Sequence, residues 1–146
     1  MSRQATLLVA DEIYYNLHGK AILQGIYSND LVIPQDPATT AQLLFYFIIE
    51  TDIAEPFQSL FVEITLPGAP PVRNLVFLTP PQIVTAQAQM FNPPRTKYTA
   101  RHPLLIQSPI LRPGRIEAKV IHETGEIVLT SPWITINPPS PIAQTN

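Results

Sequence analysis

Proline is spaced densely along this chain, which predicts that the chain is divided into short elements. The 146 residues include 17 prolines and 5 glycines. Proline lacks a backbone N–H, so it ends helices and is confined to the edges and bulges of sheets. The segments between prolines are rich in Val, Ile, Leu, Phe, Tyr and Thr, which favour strands. The sequence therefore predicts an all-β fold, an immunoglobulin-like or C2-like antiparallel β-sandwich of about eight or nine strands.

The length fits a single domain that is large enough to bury a core. We predict one sandwich domain over residues 1–136 and a flexible, Pro-rich C-terminal tail over residues 137–146. Residues 84–90 alternate apolar and polar side chains, which predicts a half-exposed strand. The segments 36–42 and 81–90 are nevertheless the two places where a helical turn could interrupt the β pattern.

Residues 5–15 are predicted to form a first strand, and residues 20–33 continue in extended conformation after a turn. Gly25 inside the second run indicates a bulge, or a place where another side chain needs room. The most apolar segment is 43–49, in which both alternating faces are apolar. A sandwich strand normally hides only one face. The second face predicts a cover, either a loop of the same chain or a second copy, and makes Tyr46 a candidate contact residue.

Charge is scarce: 14% of the residues are Asp, Glu, Lys or Arg, and the net charge is −2. An average soluble domain has about 25% charged residues. The small negative charge argues against nucleic acid or an acidic membrane as the partner. The absence of cysteine excludes disulfides and cysteine-ligated zinc. The N-terminal apolar run is interrupted by Asp11 and Glu12 and is too short for a secretory signal, so a cytoplasmic protein without a membrane span is predicted.

Residue types that carry catalysis are present, but their spacing matches no catalytic or metal-binding motif. His18, His102 and His122 show no metal-ligand spacing, and no serine lies in a Gly-x-Ser-x-Gly sequence. We therefore predict no catalytic residue, no metal site and no cofactor. The sequence favours a protein that is not an enzyme.

Basic residues are concentrated in the second part of the chain. Residues 1–66 contain eight acids and two bases, whereas residues 67–122 contain seven bases and one acid. The densest stretch is 95–101, which we predict to be part of a loop over 92–101. Cations around a tyrosine can hold phosphates or stack on a base. The candidate contact residues in this stretch are Arg95, Lys97, Tyr98 and Arg101.

Two parts of the chain resemble a group of small uncharacterised bacterial proteins with a β-sandwich fold. At the N-terminal end, the likeness consists of Ala10-Asp11, Gly19-Lys20 and Leu23-Gln24-Gly25-Ile26-Tyr27. At the C-terminal end, residues 111–120, containing Pro113-Gly114, and then Gly125-Glu126-Ile127 are similar to that group's closing hairpin. The resemblance implies a sandwich fold and carries no functional residues.

Low charge, the doubly apolar segment 43–49 and the missing catalytic motifs together favour a non-enzymatic interaction or structural module. Its partner is predicted to be another protein or a second copy of the chain. The alternative is a ligand-binding or nucleic-acid-binding module that uses the basic loop 95–101.

Overall fold

The computed structural model describes residues 3–137, which form fourteen strands and one helix. In chain order they are β1 (Gln4–Ala10), β2 (Glu12–Tyr15), β3 (Ala21–Gln24), β4 (Leu31–Ile33), β5 (Ala38–Thr39), β6 (Gln42–Asp52), β7 (Leu60–Thr65), β8 (Val72–Leu75), α1 (Pro81–Ala88), β9 (Lys97–Gln107), β10 (Ile110–Leu111), β11 (Gly114–Arg115), β12 (Glu117–His122), β13 (Gly125–Leu129) and β14 (Trp133–Ile136). The predicted all-β class is confirmed. The strands outnumber the predicted eight or nine because several are only two or three residues long.

Two antiparallel sheets make up most of the sandwich. One has the strand order β1-β6-β9, and the other has the order β13-β12-β7-β8. A smaller sheet, β11-β14-β4, contains the parallel pair β14–β4, and two ribbons, β5–β10 and β2–β3, complete the described part of the chain. Asn137 donates its N–H to the carbonyl of Ile33 at 2.8 Å. The remainder of the predicted C-terminal tail lies outside the described residues.

The inner faces of the two large sheets pack into one hydrophobic core. From β6, Phe45, Phe47 and Ile49 are fully buried, and Val62 of β7 and Val120 of β12 meet them from the opposite sheet. The three β6 residues are two positions apart, which is the spacing that places side chains on one face of a strand. The apolar residues that alternate in the sequence of β6 are therefore the ones that this strand contributes to the core.

The outer face of β6 is covered by the chain's own β2–β3 hairpin. Leu44 is 0% exposed and Tyr46 is 7% exposed, and β2 packs beside β6. Ile13 and Leu23, which are paired across the hairpin, are half-buried. Burial raises the pKa of Tyr46, and the nearby phenol of Tyr15 raises it further. Of the two covers predicted for this face, the structure shows the one supplied within the chain.

The chain bends at Asp11, between β1 and this hairpin, so the strand predicted over residues 5–15 is interrupted there. The carboxylate of Asp11 accepts a hydrogen bond from the Tyr27 hydroxyl at 2.7 Å. Gly25 lies against Asp11 with φ +69°, a backbone conformation that favours glycine. A Cβ at Gly25 would lie 2.2 Å from Asp11 Oδ2. The expected need for room at Gly25 is thus confirmed.

The strand predicted over residues 84–90 is wrong, because Pro81–Ala88 is a helix. Pro81 stands in the first turn, where its missing N–H breaks no helical bond and its fixed φ suits the helix. The following Ala and Gln residues favour helices more than strands. Only Ala88 is buried, so the helix lies on the surface and carries no strong apolar periodicity. Apolar and polar residues alternate along this segment, and the same spacing is typical of a half-exposed strand, so the pattern alone predicted the wrong element.

The predicted loop over residues 92–101 is also shorter than expected, because β9 begins at Lys97. Asp52 pairs with Lys97 in the antiparallel ladder between β6 and β9, and Ala100 pairs with Ile49. The length of β6 provides eleven paired positions, so β9 extends over polar residues that the sequence pattern assigned to a loop. Residues 97–101 of the basic stretch are therefore held on a strand.

One end of the sandwich is closed by Arg3, whose side chain is only 8% exposed. Its guanidinium donates to Glu123 Oε1 at 2.6 Å and to Thr51 Oγ1 at 3.3 Å. It also donates to the backbone carbonyls of Glu55 at 3.3 Å and Pro56 at 3.1 Å. We call Arg3, Thr51, Glu55, Pro56 and Glu123 the Arg3 cluster. It joins the start of β1 to the turn after β6 and to the turn between β12 and β13.

Two ring systems complete the surroundings of Arg3. The guanidinium lies 4.5 Å from the centre of the Phe57 ring, and Nη1 donates to Nδ1 of His122 at 3.0 Å. Because an arginine N–H can only donate, His122 Nδ1 must be unprotonated in this arrangement. Burial lowers the pKa of His122, and the positive charge of Arg3 lowers it further.

The Arg3 cluster makes the free energy of unfolding depend on pH in the acidic range, through the carboxyl group of Glu123. Burial alone would raise the pKa of Glu123, but hydrogen bonds from Arg3 and from the amides of Glu123, Gln58 and Ser59 outweigh it and lower the pKa to about 2. The stabilisation is therefore complete above the unfolded value of 4.5 and is lost as pH falls from there to about 2. With the partial exposure of this side chain, we expect a loss of about 1–2 kcal/mol.

Urea unfolding at a series of pH values between 6 and 2 checks this expectation. The variant Glu123→Gln cannot change charge in this range, so its unfolding free energy should vary with pH less steeply than that of the parent protein. Equal slopes for the two proteins would contradict the assignment to Glu123.

Candidate binding groove

A groove of about 560 Å³ lies between α1, the segment that follows the helix, and β9. Its lining includes Gln87, Phe91, Arg95, Lys97, Tyr98 and Arg101. We call it the α1–β9 groove. Small-molecule sites in proteins commonly occupy about 300–1,000 Å³. The groove therefore has the size of a binding site for one small ligand or a short segment of a larger one.

Backbone hydrogen bonds fix the segment that carries Phe91 and Arg95. The amide of Arg95 donates to the carbonyl of Ala88 at 3.0 Å, and the amide of Phe91 donates to the same carbonyl at 3.4 Å. These bonds fold residues 89–95 back onto the end of α1. The Arg95 guanidinium then stacks on the Phe91 ring, 3.9 Å from its centre, a cation–π contact. The result is a flat cationic surface at one wall of the groove.

The opposite wall is the first half of β9. Lys97 forms a salt bridge with Asp52 of β6, with 2.6 Å between Nζ and Oδ1. The Tyr98 hydroxyl accepts a hydrogen bond from the amide of Thr79 at 3.4 Å, and its ring packs against the core. Arg101 is exposed on the outer face of the sheet. Ladder pairing with β6 therefore holds three of the predicted residues on one strand.

The groove contains arginines that form no salt bridge with any acidic residue in the range 3–137. Among residues 3–137, salt bridges join Arg3, Arg73, Lys97, Arg112 and Lys119 to carboxylates. The other cations form no salt bridge within that range, and they are Lys20, Arg95, Arg101 and Arg115. Two of these four line the α1–β9 groove. The groove therefore carries a positive charge that the described part of the chain does not neutralise.

A second groove of about 400 Å³ continues from the first. The two share Ile53, Ala88 and Arg95, so they meet at the Arg95 side chain. The second groove is lined in addition by Asp52 and Glu55. Along the combined path, the lining therefore changes from cationic near Arg101 to acidic near Glu55.

Four of the five predicted contact residues lie together in the α1–β9 groove, namely Arg95, Lys97, Tyr98 and Arg101. Tyr46 is separate, because it is buried on the outer face of β6 beneath the β2–β3 hairpin. Arg101 pairs with Ile48, two positions from Tyr46 on the same face of β6, and its positive charge opposes the increase in the pKa of Tyr46. A partner could reach Tyr46 only if the hairpin moved.

Residues 81–90 are one of the two segments in which the sequence allows a helical turn, but the sequence does not assign them to the wall of a groove. Gln87, Met90 and Phe91 contribute to the lining, and none of them stood out from the sequence. The signal that could have identified them was the Pro80-Pro81 pair before a run of Ala and Gln, which marks a helix start. Phe91 is close enough to Arg95 in the chain to form a stack once that helix ends.

The three histidines lie apart from one another and have separate surroundings. His18 is exposed in the hairpin turn, and His122 accepts from Arg3. His102 Nε2 lies 3.3 Å from Oδ1 of Asn74, and burial lowers its pKa. Among the described residues, no group of three or more His, Asp or Glu side chains could hold a metal ion. No helix in residues 3–137 is long and apolar enough to cross a membrane.

No protein-family model, curated protein or solved structure matches this chain. The resemblance to small bacterial proteins, and the immunoglobulin-like or C2-like type of sandwich, therefore stay predictions from the sequence.

Proposed function

We propose that this protein is a non-enzymatic interaction module that binds a negatively charged group of its ligand in the α1–β9 groove. The observation that carries the proposal is the pair Arg95 and Arg101, which line one groove of about 560 Å³ without an acidic partner among the described residues. A planar guanidinium donates two parallel hydrogen bonds to a carboxylate or a phosphate. Two such groups in a shared groove favour an anionic ligand.

The remaining lining favours a ligand that also has an apolar or aromatic part. Val84, Met90 and Phe91 are apolar, and Phe91 and Met90 are exposed to solvent. Gln87 and Thr99 add neutral hydrogen-bonding groups. None of the described lining residues of this groove is a histidine, serine or carboxylate, and Lys97 and Tyr98 are engaged by Asp52 and by the amide of Thr79, which favours binding over acid–base or nucleophilic chemistry.

Benzoate and phenyl phosphate are suitable first probes because each joins an anion to an aromatic ring. Titration followed by ¹H–¹⁵N NMR is expected to shift amide signals of residues 87–101. Replacing Arg95 and Arg101 together by glutamine should weaken binding by about 10-fold or more, since each charge-assisted hydrogen bond contributes about 1.5–3 kcal/mol. The variant Arg115→Gln is the matched control, because Arg115 is also exposed and has no salt bridge in residues 3–137.

Neutral benzamide is the matched ligand control and should bind much more weakly than benzoate. Equal shifts with both compounds, or shifts confined to residues outside 87–101, would contradict the proposal. A short single-stranded oligonucleotide tests the polyanion alternative. Affinity for the oligonucleotide that falls steeply with salt, and is lost in the arginine double variant, would show that the groove takes nucleic acid.

A further inference from the structure

One long edge of the sandwich has no strand from residues 3–137 beside it. β9 is eleven residues long and lies at the end of the order β1-β6-β9. Within residues 3–137 its ladder is shared with β6 alone. The other edge of β9 therefore presents backbone C=O groups and, except at Pro103, N–H groups that no described strand satisfies. Such an edge is a template for pairing with another extended chain.

The α1–β9 groove lies beside the first part of this edge, residues 97–101. Tyr98 comes from the inner face of β9, whereas Thr99 and Arg101 come from its outer face, and all three line the groove. A groove that reaches both faces of a strand lies beside its edge. A neighbouring strand lies about 4.8 Å away from the one it pairs with. Helix α1 then forms the far wall of the space that such a strand would enter.

The charges along the path restrict what can lie there. Arg95 and Arg101 provide positive charge at one end, and Glu55 provides negative charge in the continuing groove, where Asp52 is neutralised by Lys97. A nucleic acid strand carries a phosphate at every nucleotide and would be repelled at Glu55. A peptide can place one carboxylate next to the arginines and continue past Glu55 with neutral or basic residues. The layout therefore favours a peptide over a polyanion.

We propose that the groove binds an extended peptide segment that adds a strand to the free edge of β9 and places one carboxylate on Arg101 and Arg95. This inference rests on the proposed function and names its ligand class. In strand addition, backbone hydrogen bonds supply affinity and side-chain pockets supply specificity. The carboxylate can belong to an acidic side chain or to a peptide C-terminus, since both offer the same chemistry to a guanidinium.

Selection from two random peptide libraries tests the proposal on the full chain, one library with free C-termini and one with internal random segments. Peptides with one acidic group and few prolines are expected to be enriched. Enrichment in the first library alone would assign the carboxylate to the C-terminus, and enrichment of Asp or Glu in the second would assign it to a side chain. The variant Arg101→Glu should reverse the preference towards Lys and Arg while leaving the melting temperature nearly unchanged.

N-methylation of successive backbone amides in an enriched peptide provides the decisive measurement. Because alternate N–H groups of an added strand point to β9, methylation should reduce affinity by about 10-fold or more at every second position only. A uniform or absent effect would overturn strand addition. If benzoate binds the groove but no peptide is enriched, this inference fails and the proposed function stands. If neither binds, both fail.

Discussion

Replacing Arg3 with alanine is expected to lower the free energy of unfolding by about 3–5 kcal/mol, the cost of removing one partner of a largely buried ion pair. The side chain makes donor contacts to Glu123, Thr51 and the carbonyls of Glu55 and Pro56, and its removal leaves these acceptors without it. Chemical denaturation of the parent and the variant measures the difference.

Two further variants show whether the effect comes from the ion pair. Arg115→Ala removes an exposed arginine with no salt bridge in the described residues, and should change stability by less than about 0.5 kcal/mol. The double variant Arg3→Ala with Glu123→Ala also removes the carboxylate that Arg3→Ala leaves without its cationic partner. Its loss of unfolding free energy should therefore be smaller than the sum of the losses in the two single variants. A loss below about 1 kcal/mol for Arg3→Ala would contradict the structural role given to the cluster.

The substitution Gly25→Ala is expected to destabilise the protein by about 2–4 kcal/mol. Part of this loss comes from the positive φ of +69°, which a residue with a Cβ adopts at a cost of about 1–2 kcal/mol. The rest comes from the new Cβ, which would lie 2.2 Å from Asp11 Oδ2 and force that carboxylate away from the Tyr27 hydroxyl. Thermal and urea unfolding measure the total.

Gly19 is a matched control for Gly25. It has φ +74°, but a Cβ there would meet nothing within 4 Å. Gly19→Ala should therefore lose only the conformational part of the stability, about 1–2 kcal/mol. The difference between the two variants isolates the contact with Asp11. Equal losses of unfolding free energy in the two variants would show that the close approach of Asp11 to Gly25 does not contribute to the cost of Gly25→Ala.

The period-two alternation predicted the architecture because it reports directly which side chains face the core. Phe45, Phe47 and Ile49 alternate in the sequence and are fully buried in the structure. The second apolar face of the same strand was recognised, but its cover comes from residues 12–24, and no local pattern says where a distant hairpin will pack. Tyr46 was for this reason placed at a contact surface, whereas in the structure it is buried.

The cationic part of the groove was predictable because its residues are close together in the chain. Arg95, Lys97 and Arg101 stand within seven residues, so any fold that exposes the stretch brings them near one another. The wall formed by α1 could not be derived in the same way. Ala and Gln residues at 86–89 satisfy an alternating pattern and a helix equally well, and the preceding prolines decide for the helix.

The turn after β6 belongs both to the Arg3 cluster and to the grooves. Arg3 holds the carbonyl of Glu55, and Ile53 and Glu55 line the second groove. The second groove and the Arg3 cluster therefore share one short segment. We expect a bound ligand that orders this segment to slow amide hydrogen exchange in β1, and by the reciprocity of such coupling Glu123→Gln, which weakens the Arg3 cluster, should weaken ligand binding.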